Sequence, residues 1–207
     1  MSNAGYALSL TLASLAALAL SYSNSLGQQV SLTADSASQA AADKAKGLIT
    51  VAGPVGTVLD VPALARSTVG RYGLNVDPSM LVAMAWIESA FKPDAFRWEP
   101  ARLDASVGLM QTLKATARDM YNNGYRAFGA APDYTDLRRP EISMYYGAAY
   151  VDWLKKWYAR NRNGQPTEEW IVRAYNGGPG WDRASASSQA NTANHWRKYQ
   201  QAKGRFG

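Results

Sequence analysis

The stretch DPSMLVAMAWIESA, residues 77–90, predicts a helix with a carboxyl group on its apolar face. An Asp-Pro pair favours a helix start, because the carboxylate caps free backbone N–H groups and proline fits the first turn. Leu81, Met84 and Ala85 lie seven, four and three residues before Glu88, so the four side chains share one face. Glu88 therefore points the same way as the residues expected to build the core.

The position of Glu88 suits catalysis, and it also suits a structural role. Burying an ionised carboxylate is costly, which favours the protonated form that a general acid needs. A glutamate that satisfies a buried arginine or a backbone amide would occupy the same face. The helix alone leaves both interpretations open.

The rest of the sequence predicts a predominantly helical domain at residues 61–207. Capping residues, glycine stops and apolar residues at three- and four-residue spacing indicate further helices. Alternating patterns typical of strands are scarce, and only residues 96–111 favour a small β-hairpin. Besides 77–90, the predicted helices are Asp60–Gly73, Pro140–Arg160, Thr167–Gly178 and, after a loop at 182–194, a short Asn194–Lys203.

The composition excludes several kinds of chemistry. The 207 residues contain no Cys, which rules out disulfides and thiol catalysis, and a single His, which rules out a His/Cys zinc site. A Ser/His/Asp triad would have only His195 as its base, far down the chain in a polar tail. We therefore predict neither a metal nor a cofactor.

The charge is basic and unevenly distributed. The net charge is +6, and residues 1–60 carry two lysines against three aspartates, so residues 61–207 hold +7. A basic domain suits nucleic acid, anionic lipid or an acidic wall polymer. The Arg and Lys residues are scattered and match no nucleic-acid-binding motif, so we predict no nucleic-acid partner.

Residues 1–60 read as an apolar segment followed by an Ala/Ser-rich linker. Residues 1–34 carry no charged side chain, and Ala4–Leu20 is mostly apolar, which indicates an N-terminal helix. Residues 24–57 are rich in Ser, Ala, Gln and Gly, typical of a linker or of a docked Ala-rich helix.

The apolar run is slightly short for a membrane span, and it lacks the basic start of a secretory signal. An unusual signal peptide, a weak membrane anchor and a helix packed on partner subunits are all open. Because its leucines need burial, we predict a retained segment in which residues 4–26 contact a membrane or the proteins of a virion or secretion complex.

Two further segments combine polar side chains with glycine. SVGLMQ, residues 106–111, places a glycine where a backbone can approach a ligand closely, although an ordinary turn has the same appearance. AYNGGP, residues 174–179, places a tyrosine and an asparagine at a helix C-terminus and is, taken alone, a helix stop.

Together, in this order and spacing, the three segments resemble the soluble lytic transglycosylase family (family 1) of the lysozyme-like superfamily. The matching motifs are Glu88-Ser89, Gly108-Leu109-Met110-Gln111 and Ala174-Tyr175-Asn176-Gly177-Gly178, supported by AFKPDA at 90–95 and GAAY at 147–150.

The resemblance covers roughly residues 70–200. The link from Phe96 to Asp104 departs from the family's shorter Ser-containing form and looks more like phage-borne versions. A further family tyrosine near the C-terminus has Tyr199 as its match, within a poor motif.

The resemblance implies a mainly α, lysozyme-like fold with a small β-hairpin region, and an enzyme that cuts peptidoglycan in the bacterial envelope, either membrane-anchored or carried in a phage virion. It implies that Glu88 protonates the oxygen between N-acetylmuramic acid and N-acetylglucosamine. Glu88 then removes the C6 hydroxyl proton, which closes a 1,6-anhydro ring without water. Substrate-binding roles fall to Ser106, the backbone of Met110, Gln111, Tyr175 and Asn176, with Tyr175 orienting Glu88 and Asn176 bracing the loop.

Two other functions stay open. A hydrolytic muramidase would use a second carboxylate, and Asp94, Glu99 and Asp104 are available. A non-catalytic wall-binding or virion protein could use the same fold as a scaffold, although the presence of Glu88 argues against it.

Overall fold

The computed structural model describes residues 22–23, 29–30, 41–44, 46–51 and 57–206. The chain divides into two compact units, Met1–Lys44 and Ala45–Gly207. In the first unit, strands β1 (Tyr22–Ser23) and β2 (Gln29–Val30) pair antiparallel. The expected N-terminal helix at residues 4–20 lies outside the described residues. Within the described part of the chain, no helix combines the length and the apolarity that crossing a membrane requires.

The second unit begins with a β-hairpin. Strands β3 (Leu48–Val51) and β4 (Thr57–Asp60) pair antiparallel, with Leu48 opposite Asp60. The expected linker or Ala-rich helix is therefore wrong over these strands. Their sequences LITV and TVLD are rich in β-branched residues, which fit a pleated strand better than a helix.

Helices α1 (Val61–Tyr72) and α2 (Pro78–Ser89) begin and end where the sequence predicts. Asp60 caps α1 by accepting a hydrogen bond from Ala63 N at 2.8 Å, and α1 ends at the left-handed Gly73. Asp77 caps α2 by accepting from Ser79 N at 2.9 Å. Local capping chemistry thus fixes both helices.

The predicted hairpin at 96–111 is confirmed and has a third strand. Strands β5 (Phe96–Glu99), β6 (Asp104–Val107) and β7 (Thr112–Leu113) form an antiparallel sheet in the order β5-β6-β7. Helix α3 (Lys114–Asn122) follows β7 and was not predicted. Its N-terminus is capped by a residue from another element, since Ala115 N donates to Asp104 Oδ2 on β6 at 2.8 Å.

Two predicted helices form the centre of the second unit. Helix α4 (Pro140–Arg162) packs against α1, α3 and α5, and its middle is buried from Ile142 to Ala149. Helix α5 (Glu168–Gly177) is capped by Thr167, whose hydroxyl accepts from Trp170 N at 3.1 Å. The unit is mainly α with a small sheet, as the sequence predicts.

The last helix, α6 (Ala186–Phe206), is longer than predicted. The predicted helix at 194–203 is confirmed as part of α6, whereas the loop expected at 182–194 is wrong from Ala186 onward, where α6 begins. Its polar first turns gain tertiary partners on α5: Arg173 donates to Gln189 O and to Thr192 Oγ1, both at 3.2 Å. Packing thus overrides a composition that favours a loop.

We expect residues 61–207 to fold and cut without the first 60 residues, since all the motifs lie beyond Asp60. The structure adds that a chain starting at 45 keeps the β3–β4 hairpin, the bond from Val61 N to Gly47 O at 3.0 Å and the Asp60 cap of α1. The bond and the cap contribute about 1 kcal/mol each, so the shorter chain should melt at least about 4–8 °C lower. Thermal melts of 45–207 and 61–207, with sacculus clearing by each, test this. An insoluble or inactive 61–207 beside an active 45–207 would move the boundary to residue 45.

Candidate active site

Glu88 lies in the last turn of α2, at the edge of a cleft. Its side chain is only 12% exposed, and it lines a cavity of about 260 Å³ together with residues from the sheet, α4 and α5. Besides Glu88, the cleft is lined by Arg97, Glu99, Arg102, Ser106, Gln111, Thr112, Leu113, Thr116, Tyr150 and Tyr175–Gly178. The structure therefore brings together five of the six predicted site residues, with Met110 as the exception.

The end of α2 is tied to the loop 108–111. Ser89 Oγ lies 3.1 Å from Ala85 O and 2.9 Å from Leu109 O, both acceptors for its hydroxyl. The helix stops at Ala90 and Phe91, which both adopt left-handed backbone conformations, and Phe91 is fully buried. Glu88 is thus held between a helix end and a packed loop.

Gly108 is required by close packing inside the protein. It has φ +78°, and a Cβ there would lie 2.0 Å from Leu137 O and 2.6 Å from Ser143 Oγ. The sequence predicts a close approach at Gly108. The structure shows that the groups approached are Ser143 on α4 and Leu137 before it. The backbone of 108–111 sits directly on the core, and this fixes Gln111 at the cleft.

Gln111 faces the cleft with its amide nitrogen already engaged. Gln111 Nε2 donates to Ala95 O and Gly108 O, both at 3.1 Å, and its backbone has φ +45°. The orientation of the amide is thereby fixed. Its oxygen is left as an acceptor toward a ligand.

Met110, whose backbone was expected to hold substrate, is not among the residues that line the cleft. Its side chain is fully buried against Gly147, where an added Cβ would come within 2.6 Å of it. Its backbone N donates to Ser143 Oγ at 3.1 Å, and its carbonyl accepts the Tyr175 hydroxyl at 2.8 Å. Met110 thus holds Tyr175 in place.

Tyr175 lies beside Glu88, but its hydroxyl bonds elsewhere. The hydroxyl donates to Met110 O and lies 3.3 Å from Thr112 Oγ1. Burial raises the pKa of Tyr175, and the negative charge of Glu88 raises it further. Tyr175 is therefore an uncharged neighbour of the Glu88 carboxyl group. Its ring centre lies 5.4 Å from that of Tyr150.

The remaining predicted site residues lie on either side of the cleft. Asn176 follows Tyr175 and is exposed at the end of α5. Ser106 is buried on β6 and donates to Glu99 Oε1 at 3.1 Å. Arg97 pairs with the same carboxylate at 2.7 Å, so Glu99 is neutralised within the sheet.

The three candidates for a second carboxylate differ in position. Asp94 is exposed and Glu99 lines the cleft. Asp104 is buried, and although burial raises its pKa, hydrogen bonds from Ala115 N, Ala105 N and the Tyr134 hydroxyl bring it below the ordinary value. Asp104 is therefore an ionised structural group, and Glu99 is the second carboxylate that lines the cleft.

The sequence analysis missed His195. Its Nε2 lies 3.3 Å from Glu88 Oε1, and its side chain is 11% exposed. Tyr199, the family match suggested by sequence, is one turn further along α6 and is fully buried, with its hydroxyl donating to Glu168. Both positions lie within the helix predicted at 194–203, four residues apart, but nothing in the local sequence indicates that His195 meets Glu88 on α2.

Known proteins are similar to this chain in sequence. Residues 69–197 match the transglycosylase SLT domain family. Membrane-bound lytic murein transglycosylase C of Actinobacillus pleuropneumoniae serotype 5b (strain L20) is 30% identical over 119 residues, which are 56% of this chain and 30% of that protein. The protein of the same name from Photorhabdus laumondii is 31% identical over 122 residues, 58% of this chain and 31% of that protein. The chain spans about a third of the length of these relatives.

Two solved structures are also similar. The lytic transglycosylase Slt of Pseudomonas aeruginosa, in an inactive mutant form, has a TM-score of 0.47 at 20% identity, over 70% of this chain and 24% of that one. The 70 kDa soluble lytic transglycosylase of Escherichia coli has a TM-score of 0.45 at 23% identity, over 68% of this chain and 22% of that one.

The family match extends over more than half of the chain. It includes Glu88, the loop 108–111 and the end of α5 at Tyr175 and Asn176. The chain belongs to the transglycosylase SLT domain family.

Proposed function

We propose that this protein is a peptidoglycan lytic transglycosylase that cleaves the β-1,4 bond between N-acetylmuramic acid and N-acetylglucosamine and leaves 1,6-anhydro ends. The relatives named as lytic murein transglycosylases support the substrate and the reaction class. The family match supports the same catalytic domain.

One observation carries the proposal. Two glutamates line the cleft, and only Glu99 is bound to an arginine and a serine hydroxyl. Glu88 faces the cleft beside the neutral Tyr175, in surroundings poor in water. A carboxyl group that is not paired with an arginine is the one suited to give and take a proton at a bound glycosidic oxygen.

The reaction requires Glu88 to act twice. Protonated Glu88 gives its proton to the glycosidic oxygen, the bond to the muramic C1 breaks, and an oxocarbenium-like sugar forms. The N-acetyl carbonyl of the same sugar stabilises this charge. Glu88, now a carboxylate, removes the proton of the C6 hydroxyl, whose oxygen bonds to C1. The proton returns to Glu88 and no water is consumed.

The other cleft residues are proposed to hold the substrate. The fixed amide of Gln111 presents an oxygen acceptor to an N-acetyl N–H or a peptide N–H, and Asn176 lies across the cleft on α5. Ser106 lies on the sheet side, where the muramic residue would sit. Tyr175 limits the positions that the Glu88 side chain can take.

Mass spectrometry of digested peptidoglycan tests the reaction. Anhydro-muramic ends are expected, since the ring closes on the C6 oxygen. Reducing ends would identify a muramidase, and uncut strands would identify a non-catalytic wall-binding protein. Either of these two results would contradict the proposal.

A Glu99→Gln variant separates the two enzymatic mechanisms. We expect the rate to fall less than about tenfold, because Glu99 is a partner of Arg97 and Ser106 and takes no proton. A water-activating or nucleophilic carboxylate would instead lose at least about 100-fold on the same change. Initial rates of sacculus clearing measure this, and such a loss would establish Glu99 as a second catalytic group.

We further propose that the protein acts in the cell envelope, where its substrate lies. The curated relatives are named as membrane-bound proteins. Contacts of residues 4–26 with a membrane, or with virion or secretion-complex proteins, stay a prediction.

A further inference from the structure

His195 and Glu88 form a contact between α6 and α2 behind the cleft. His195 Nε2 lies 3.3 Å from Glu88 Oε1, and the two side chains are 11% and 12% exposed. Nε2 is buried and makes no aligned hydrogen bond within the described residues. A buried ring nitrogen requires a partner, and the Glu88 carboxyl oxygen is the group within reach.

The structure holds His195 in place from both sides along α6. One turn before it, Thr192 packs against the bare backbone of Gly177 and accepts from Arg173 Nε at 3.2 Å. One turn after it, the buried Tyr199 donates to Glu168 on α5. The imidazole therefore has little freedom to move away from Glu88.

We infer that His195 is the positioning residue of Glu88, donating Nε2–H to Oε1 so that the second carboxyl oxygen is directed to the substrate. This inference rests on the proposed function, because it assigns a partner to the proposed acid and base. His195 was the sole candidate base for a Ser/His/Asp triad. Here it has a different role, because it positions the carboxyl group of Glu88.

One donor can serve both halves of the reaction. Before cleavage the catalytic proton is on Oε2, and Oε1 is a carbonyl oxygen that accepts from Nε2–H. The proton leaves Oε2 for the glycosidic oxygen, and the C6 hydroxyl proton then returns to Oε2. Oε1 accepts from the imidazole throughout, so the ring neither gains nor loses a proton during the cycle.

A second proton on the imidazole would oppose the acid step. An imidazolium beside Glu88 stabilises the carboxylate, whereas the first half of the reaction needs the protonated carboxyl group. The neutral imidazole, with its proton on Nε2, is therefore the form that the acid step requires.

The other charged groups around the pair are ion-paired or neutral, with Arg102 as the exception. On α5, Arg173 is paired with Glu169, and Tyr175 is a neutral phenol. On the sheet, Arg97 is paired with Glu99. Arg102, which also lines the cleft, has no ion pair within the described residues.

Three substitutions in the full chain test the inference. His195→Gln keeps an amide N–H donor but cannot ionise, His195→Leu removes the donor, and Arg197→Gln removes a charge from an exposed position on the same helix. kcat and KM are measured on a soluble glycan tetrasaccharide, so that binding and turnover are separated. Circular dichroism checks that each variant is folded.

We expect His195→Leu to lower kcat about 100-fold with KM nearly unchanged, as for a misplaced catalytic group. His195→Gln should recover most of this rate, because its amide N–H can still donate to Oε1. Arg197→Gln should match the wild type. If the Gln and Leu variants lose the same fraction of kcat, the donor makes no difference, His195 is only a packing residue and the inference is wrong.

A readout that is independent of activity uses the single histidine of the chain. In ¹⁵N-histidine-labelled protein at pH 8, the Nε2–H tautomer is expected, because Nε2 faces an acceptor. The Nδ1–H tautomer would overturn the inference even if His195→Leu failed to fold. A wild type that forms no anhydro ends would instead contradict the proposed function.

Discussion

A Glu88→Gln variant is expected to lose at least about 1,000-fold in the rate of strand cleavage while keeping its fold. General acid or base catalysis by one side chain contributes about 100- to 10,000-fold, and the proposed cycle uses Glu88 for both steps. The glutamine has the same shape, and its amide oxygen can still accept from His195. Its amide group cannot donate the catalytic proton or take up the C6 proton.

The measurement is the clearing of purified sacculi, together with a count of anhydro ends by mass spectrometry. Glu169→Gln is a matched control, since Glu169 is an ion-paired glutamate on α5 outside the cleft lining. The control should clear sacculi at the wild-type rate. A Glu88→Gln protein that clears them at even a tenth of that rate would show that another group is the catalyst.

Interactions between residues close in sequence made the helix that carries Glu88 and the helices around it predictable. Asp60, Asp77 and Thr167 cap the helices that the sequence assigns to them. A cap acts within three residues, so its signal is present in the sequence itself. The apolar stripe of α2 likewise placed Glu88 on the face that meets the core, and the ordered motifs placed Gln111 and Asn176 around it.

The parts that the sequence did not reveal depend on distant partners. Helix α3 is capped by Asp104 from β6, and the first turns of α6 are held by Arg173 from α5. The contact of His195 with Glu88 joins α6 to α2, so neither local propensity nor motif spacing indicates it. Met110 shows the converse, since a motif residue expected to face substrate packs against Gly147 on α4.

A Gly108→Ala variant is expected to lose about 2–5 kcal/mol of its free energy of unfolding, the sum of a left-handed backbone cost and an overpacking cost. The added methyl group would lie 2.0 Å from Leu137 O, and a backbone atom cannot rotate away as a side chain can. For a domain of this size, the melting temperature should fall by roughly 10 °C or more. Activity should fall as well, because the displaced loop carries Gln111 and, through the Met110 carbonyl, Tyr175.

Gly73→Ala separates the two costs. Gly73 also has a left-handed backbone, with φ +60°, but an added Cβ there meets no atom within 4 Å. This control should therefore lose only about 1–2 kcal/mol, the backbone cost alone. Both variants restrict the unfolded chain in the same way, so the difference between their denaturant midpoints reports the contact with Leu137 and Ser143. Equal losses in the two variants would mean that the loop can shift away from α4, and that the close packing behind Gln111 does not fix the cleft.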